Sequence, residues 1–323
     1  MLSKHPRFVN WHYTYNCNFN CDHCYSRSPS YPEDLSVVDY QLIVEKLIDA
    51  QIFKVAFGGG EPLTRADLVH TVKRLSEAGI FTHITTNGWL VDTAMAEKLK
   101  EAGLGTLSFS IDSPFLKYHD ELRNKSGSYS RVLEGIRSAN RVGLKVHFST
   151  TITVENHEYI SEFVSLAEQE LISEINFKLF RAAGNGLVLK DRFSIKQDVL
   201  EDLIARVDDS RKKSKVKISM YGSESGENCS CGNTTLTLRP NGDLVICPYS
   251  GDSIGNILKQ TLSEVWLNSS ELSERRREPN KCFGKEDNQW PINSDREKMP
   301  LKPYTEKLMQ KQVAKGIVHA NKA

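Results

Sequence analysis

Long apolar runs are missing from this 323-residue chain, and so is any excess of one charge. No window approaches the roughly 18 uninterrupted apolar residues of a membrane span. The opening MLSKHPRFVNW has no apolar core closed by small residues, so no secretory signal is read there. The chain is therefore expected to be cytoplasmic, with no membrane partner. Lysine and arginine number 42 against 41 aspartates and glutamates. A polyanion finds nothing to hold at long range, which argues against nucleic acid as a partner. Cysteine is scarce, at seven residues. An odd number in a reducing compartment speaks against a disulfide framework and for metal or redox use.

The few cysteines are not scattered. Three fall in YTYNCNFNCDHCYS, Tyr13 to Ser26, as Cys17, Cys21 and Cys24, and the other four are Cys229, Cys231, Cys247 and Cys282. Between the groups, β-rich runs at 8–15, 53–59, 81–87, 105–112, 145–153 and 174–182 alternate with amphipathic segments. Those segments are Val37 to Ala50, Ala66 to Ala78, Thr93 to Ala102, Tyr129 to Val142 and Tyr159 to Glu170, with Asp92 as a start signal for the third. The alternation predicts an α/β fold, a partial (β/α)6 TIM-like barrel over residues 1–222. A further helix, Val199 to Lys213, ends in the basic run RKKSKVK, read as a solvated helix end. A small hairpin-containing domain is expected over 223–290 and a charged tail over 291–323, with one helix near Tyr304 to Val313. In parallel α/β folds the site lies at the C-terminal ends of the strands. There the chain places Cys17, Gly58 to Glu61, Asn87, Ser110, Asp112, Thr151 and Arg181. His12 and His147, inside strands, read as core or rim residues.

Three thiolates on one short loop reach three corners of a compact centre. Tetrahedral zinc would need a fourth ligand, whereas an iron–sulfur cubane can leave one iron open. At this point the residues resemble a known family. The pattern C-N-F-N-C-D-H-C at 17–24, coupled to GGGEP at 58–62 after the next strand, is similar to the radical S-adenosylmethionine (SAM) enzymes. ITTNG at 84–88, SFSIDS at 108–113, HDELRNKSGSYSRVLEGI at 119–136 and TTIT at 150–153 with Asn156 extend the likeness over most of the chain. The resemblance implies that Cys17, Cys21 and Cys24 hold a 4Fe-4S cluster whose open iron chelates the methionine part of SAM. Reductive cleavage then gives a 5'-deoxyadenosyl radical that takes a hydrogen atom from a substrate. It further implies that Gly59, Gly60 and Glu61 face the methionine ammonium, and that Asn87, Ser110 and Asp112 meet the ribose hydroxyls or the methionine carboxylate. Arg181 would pair with that carboxylate, and His23, where the family carries an aromatic residue, would lie beside adenine.

In the second group, Cys231 and Cys247 bracket CGNTTLTLRPNGDLVIC, whose Asn241-Gly242 turn brings two strands together. With IGN at 254–256 and Trp266 this looks like the SPASM/twitch extensions of radical enzymes, and implies one auxiliary 4Fe-4S cluster on Cys229, Cys231, Cys247 and Cys282. Zinc on the same four cysteines stays open, as does Cys229 serving as a hydrogen donor instead of a ligand. The resemblance implies a radical SAM oxidoreductase fed by an external electron donor such as flavodoxin or ferredoxin. The expected outcome is oxidative modification, a cross-link or dehydrogenation, of a ribosomally made peptide. With Cys17 so close to Met1 there is no room for a leader-binding domain, so a peptide would call for a separate recognition protein. The alternatives are a dehydrogenase or epimerase of a sugar or aminocyclitol and, in another class, a non-catalytic iron–sulfur protein.

Overall fold

The computed structural model describes residues 4–27, 34–221, 229–249 and 252–277. Cys282, the tail and the helix expected at Tyr304 to Val313 lie outside the described residues. Strand β1 (Phe8–Thr14) leads to α1 (Val37–Asp49), β2 (Lys54–Gly59) to α2 (Leu68–Glu77), and β3 (Phe81–Thr86) to α3 (Thr93–Glu101). Then β4 (Thr106–Ser110) leads to α4 (Leu116–Leu122) and α5 (Ser128–Arg141), and β5 (Val146–Ile152) to α6 (Ile160–Gln169). After β6 (Glu174–Leu179) come α7 (Lys190–Phe193), α8 (Gln197–Lys213) and β7 (Lys217–Tyr221). The second region supplies β8 (Thr235–Leu238), β9 (Asp243–Val245), β10 (Gly255–Asn256), α9 (Leu262–Asn268) and α10 (Ser270–Arg277). Among the described residues no helix is long and apolar enough to cross a membrane.

Strands β1 to β7 pair in sequence order, all parallel, as in a partial TIM-type barrel. That is one strand more than expected. The run RKKSKVK is not a single solvated helix end, because α8 stops at Lys213 and Ser214 is already extended. From there Lys215 to Ile218 alternates, with Val216 and Ile218 buried and Lys217 pairing with Glu174 of β6 at 3.0 Å. The sheet stays open, with β7 at one edge and β10 at the other.

Period-two alternation divides each strand between two faces. Trp11, Phe57, Phe109 and Phe148 pack outward into the single large core under the helices. The opposite positions face the barrel interior, and apart from Phe8, Ala56 and Phe81 they are largely polar, with Asn10, His12, Lys54, His83, Ser108, His147, Asn176 and Lys178 among them. Closed eight-stranded barrels fill that interior with branched aliphatic layers. This one leaves a polar lumen.

The hairpin forms as expected. Gly242 takes φ +85° and the Arg239 N–H donates to Asp243 O at 2.8 Å, so β8 and β9 pair antiparallel. It is also part of the barrel sheet, because β8 lies parallel beside β1, with Phe8 opposite Thr235. Helix α1 fastens the two together. The buried Tyr40 hydroxyl donates to Tyr13 O at 2.6 Å and lies 3.4 Å from Pro240 O. Lys46 Nζ donates to Ile257 O at 2.5 Å. Asp92 caps α3 through the Met95 N–H at 2.8 Å, as the sequence suggests.

Candidate iron–sulfur and cofactor site

Cys17, Cys21 and Cys24 leave β1 on a loop that is clamped from several sides. Beneath it, the Gly60 N–H donates to Thr14 O at 2.7 Å and the Glu61 N–H to Asn16 O at 2.8 Å. A Cβ on Gly60 would stand 2.1 Å from Asn16 O, and one on Gly59, which has φ +100°, 2.7 Å from Thr14 O. Glycine at 59 and 60 thus lets the GGGEP turn press against the base of the cysteine loop. Only at Gly58 would a Cβ meet nothing within 4 Å, and this is the glycine that faces open space. From the far side, Asn185 donates to Asn20 Oδ1 and to Cys21 O at 3.1 and 3.0 Å, and Asn124 to Asn20 O at 2.9 Å and to Asp22. Ser26 Oγ donates to Gly59 O at 2.5 Å. The three thiols are half-buried and unbonded to one another. Burial pushes Cys17 up to about 11 and raises Cys21, against which the Arg123 guanidinium acts.

Beside the loop, at the C-terminal end of β4, lies a buried polar group that the sequence only half discloses. Asp112, 1% exposed, is ion-paired with Arg123 and with His23 Nε2 at 3.1 Å, and it accepts the Thr151 N–H at 2.8 Å. Burial alone would raise its pKa, but Arg123 and then His23 hold it far below the ordinary carboxylate range. Expected at the ribose or the methionine carboxylate, the Asp112 carboxylate is taken up by these partners. His23 is its ion-pair partner at the rim of the cysteine loop. Arg123 and His119 have no counterpart among the residues singled out from the sequence. His119 lies on α4 and Arg123 is the residue that caps its C-terminus, and Asp120 fixes the joint to α5 by accepting the Gly127 and Tyr129 N–H groups at 2.6 and 2.8 Å. Asn156 donates to Asp112 O and Thr151 O, both at 2.9 Å, so it ties the ends of β4 and β5. The spacing H-x-x-x-R seven residues after Asp112 was the available signal.

Three nitrogen atoms of this group are buried without a partner among the described residues: Arg123 Nε, His23 Nδ1 and His119 Nε2. His119 stays neutral, since burial lowers its pKa to about 3. Glu61 is fully engaged. Its carboxylate accepts from Thr86 Oγ1, Asn87 N and Leu63 N at 2.8, 2.7 and 3.2 Å, and burial still raises its pKa. The Asn87 amide donates to Asn18 Oδ1 at 2.7 Å and accepts from Trp89 N at 3.0 Å, tying β3 to the cysteine loop. Ser110, half-buried at the end of β4, makes no side-chain hydrogen bond among the described residues. Arg181 lies toward the second cysteine group, where Cys231 chiefly, and Arg181 in addition, lower the Cys247 pKa.

The second cysteine group assembles on its own. Cys231 lies within hydrogen-bond reach of both the Cys229 and Cys247 sulfurs, which lowers those two and raises Cys231. Arg275 of α10, 1% exposed, donates to Cys231 O at 3.1 Å and to Cys229 O at 3.4 Å. Its neighbour Arg276 lies 4.2 Å over the Trp266 ring. Neither arginine was singled out by the sequence. Among the described residues, no three Cys, His, Asp or Glu side chains converge on a point fit for a single metal ion. A cubane takes one thiolate per iron and does not ask for such convergence. The orphaned donors above Cys21, the open space at Gly58 and the clamped loop fit a cluster with a polar cofactor beside it.

Comparison with known proteins agrees. A sequence model of the radical SAM superfamily matches residues 11–167, and the SPASM iron–sulfur cluster-binding domain matches 229–289. The AdoMet-dependent heme synthase of Methanosarcina barkeri is 25% identical over 311 residues, 88% of this chain and 88% of that protein. The mycofactocin maturase MftC of Mycolicibacterium smegmatis is 29% identical over 291 residues, 85% of this chain and 73% of that one. Streptococcus suis SuiB, bound to its precursor peptide SuiA, shares the fold at TM-score 0.71 and 19% identity, over 84% of this chain and 67% of that one. Two cysteine groups, each in the domain built to hold iron and sulfur, exclude the zinc reading. The chain is a radical SAM enzyme with a C-terminal SPASM domain, and its cofactors are SAM, a 4Fe-4S cluster and auxiliary iron–sulfur.

Proposed function

We propose that this enzyme oxidatively modifies a ribosomally made peptide, by a cross-link or a dehydrogenation. One observation carries the oxidative part. Tyr25, next to Cys24, meets Tyr249, two residues past Cys247, edge to face with ring centroids 5.0 Å apart. The two cysteine loops are thus joined through packed aromatic rings. When bound, SAM and its cluster supply a radical that removes a hydrogen atom, and the auxiliary iron–sulfur group supplies a one-electron sink.

The chain's own residues supply position and charge. Tyr25 Oη lies 3.4 Å from His12 Nε2. Burial lowers the His12 pKa to about 4, so the ring is neutral and able to accept that hydrogen bond. Arg123 and His119 present unspent N–H groups, and His23 an unpartnered ring nitrogen, to a ligand next to Cys21. Ser110 and the open flank of Gly58 line the same mouth, which makes Gly58, Ser110 and Arg123 the residues proposed to meet the cofactor. Cys229, Cys231, Cys247 and Cys282 are proposed as the ligands of one auxiliary cluster.

The maturase likeness and the peptide-bound fold relative support a peptide. A second reading, a tetrapyrrole substrate, is favoured by the heme synthase match over 88% of both chains. The test is 5'-deoxyadenosine release by the anaerobically reconstituted enzyme, with reductant, against host-cell extract. One extract portion is treated with protease and another stripped of tetrapyrroles by acid-acetone. Stimulation destroyed by protease supports the peptide. Stimulation that survives protease and is lost on stripping transfers the proposal to the tetrapyrrole. No 5'-deoxyadenosine under any condition would sink both.

A further inference from the structure

The lumen carries charge that this reading leaves unused. The alternation that sends Ile175, Phe177 and Leu179 of β6 into the helices turns Lys178 inward. In register it lies between Thr151 of β5 and Tyr221 of β7, near the top of the barrel. Among the described residues its ammonium makes no hydrogen bond and no ion pair. Asp112 acts on Lys178 and Glu174 lies on the same strand, and both carboxylates are already taken. Asp112 is held by Arg123 and His23, and Glu174 by Lys217 at 3.0 Å.

Lys178 is water-accessible, yet burial pulls its pKa below the ordinary lysine value. Solvent reaches the side chain, and protein surrounds it closely enough to disfavour its charge. Lys54 stands lower in the same space, with the Phe81 ring 5.7 Å from its ammonium, and both lysines act on His83 between them. His147 Nε2 and Ser108 Oγ, also on lumen-facing positions, are buried without partners among the described residues. The histidines add no charge at neutral pH, since burial holds His147 at about 4 and His83 well below its usual value. The lumen is therefore a polar chamber in which, among the described residues, the carboxylates of Asp112 and Glu174 are already paired and the Lys178 ammonium is not.

We propose that Lys178 anchors a carboxylate of the substrate inside the barrel, so that the enzyme selects acids over their uncharged analogues. The inference rests on the radical SAM reading and goes further by naming the recognised group. An unpaired ammonium in a confined space is costly, and a carboxylate relieves it through a charge-assisted hydrogen bond. An ester or amide of the same shape leaves it unrelieved. The carboxylate can belong to a peptide or to a tetrapyrrole side chain, and the experiment separates the two.

Binding to the reconstituted, SAM-loaded enzyme is titrated with two matched pairs. One is hemin and its dimethyl ester. The other is a synthetic peptide with a free C-terminal carboxylate and the same peptide amidated. The acid of one pair is expected to bind at least about tenfold more tightly than its blocked partner. Lys178→Met removes that preference, and Lys178→Arg keeps most of it. Whichever pair shows the preference identifies the source. Equal binding of acid and blocked forms in both pairs overturns the proposal, as does a preference that survives Lys178→Met. Iron content checks that each variant is folded, and Lys178→Gln replaces the methionine variant if that one loses its iron. Acid-selective binding without any 5'-deoxyadenosine release would leave the anchor standing and remove the radical reading. Release without acid selectivity would do the reverse.

Discussion

Alanine placed in turn at Gly58, Gly59 and Gly60 separates what the protein's own packing demands from what a bound cofactor demands. At Gly60 the new Cβ would lie 2.1 Å from Asn16 O, 2.7 Å from Asn16 C and 3.0 Å from Tyr15 C. Every obstacle is backbone, so no side chain can swing away. The turn and the cysteine loop must separate by about 1 Å, an overpacking strain of about 1–3 kcal/mol. The Glu61 N–H bond to Asn16 O is lost with it, adding about 1 kcal/mol. Gly59→Ala meets Thr14 O at 2.7 Å and must also hold φ +100°, an added strain of about 1–3 kcal/mol. Gly58→Ala meets nothing within 4 Å and has no positive φ, so its effect on stability is near zero. Denaturant midpoints should rank wild type and Gly58→Ala together, with the other two well below. Equilibrium dialysis with SAM should reverse the order of interest, because Gly58→Ala projects into the open flank of the site and weakens binding in a fully stable protein. If Gly58→Ala unfolds as early as Gly60→Ala, or binds SAM as wild type does, the division of labour among the three glycines is wrong.

Other substitutions probe the buried charges and the two centres. Arg123→Met strands Asp112 in the interior and should lower unfolding free energy by about 3–5 kcal/mol, with Asp112→Asn in the same chain restoring much of it. A single-variant loss below about 1 kcal/mol would mean the pair is not buried as described. Acid should destabilise the protein in two stages. His12, His119 and His147 take up protons near 6.5 when unfolded but only near 4, 3 and 4 when folded. Stability therefore falls as pH drops through that interval, and His119→Gln should flatten the fall in pH-dependent denaturation. Below the unfolded aspartate value of 3.8 the depressed Asp112 adds its own loss, which Asp112→Asn removes. Replacing Cys231 and Cys247 by alanine should remove about four irons and leave the rest, while replacing Cys17, Cys21 and Cys24 removes the complementary set. Iron and sulfide analysis reads both, and loss of all iron in either variant would argue against independent centres.

Much of this architecture was legible because the outward strand positions are regularly apolar, and because C-x-x-x-C-x-x-C and GGGEP are local patterns that tolerate no gaps. Strand β7 was hidden because its lumen-facing lysine continues a basic run that looks like a solvated helix end. Helix α4, with seven residues, is too short to show a period. Arg123 and His119 meet Asp112 because the chain folds back over the end of β4, and the only trace of this in the sequence is the H-x-x-x-R spacing seven residues after Asp112. The position of Arg181 depends on how the second domain packs, and its proximity to Cys247 follows from β8 lying against β1. Glu61 was visible as a residue, but not the three donors that occupy it, two of which come from β3 and the residue after it.

The pairing of β8 with β1 has a consequence for how the protein is made. Phe8 to Trp11 emerge first from the ribosome, and their partners at Thr235 to Leu238 emerge roughly two hundred residues later. At ordinary translation rates one edge of β1 waits about 10–40 s with its backbone groups unmatched. That edge carries the loop of Cys17, Cys21 and Cys24. During synthesis the nascent chain presents three thiols beside an unpaired strand, an arrangement open both to iron–sulfur delivery and to mispairing with another chain. Expression yield should therefore respond to slowed translation and to the supply of iron and sulfide while the polypeptide is still growing, before any purified apoprotein exists to be reconstituted.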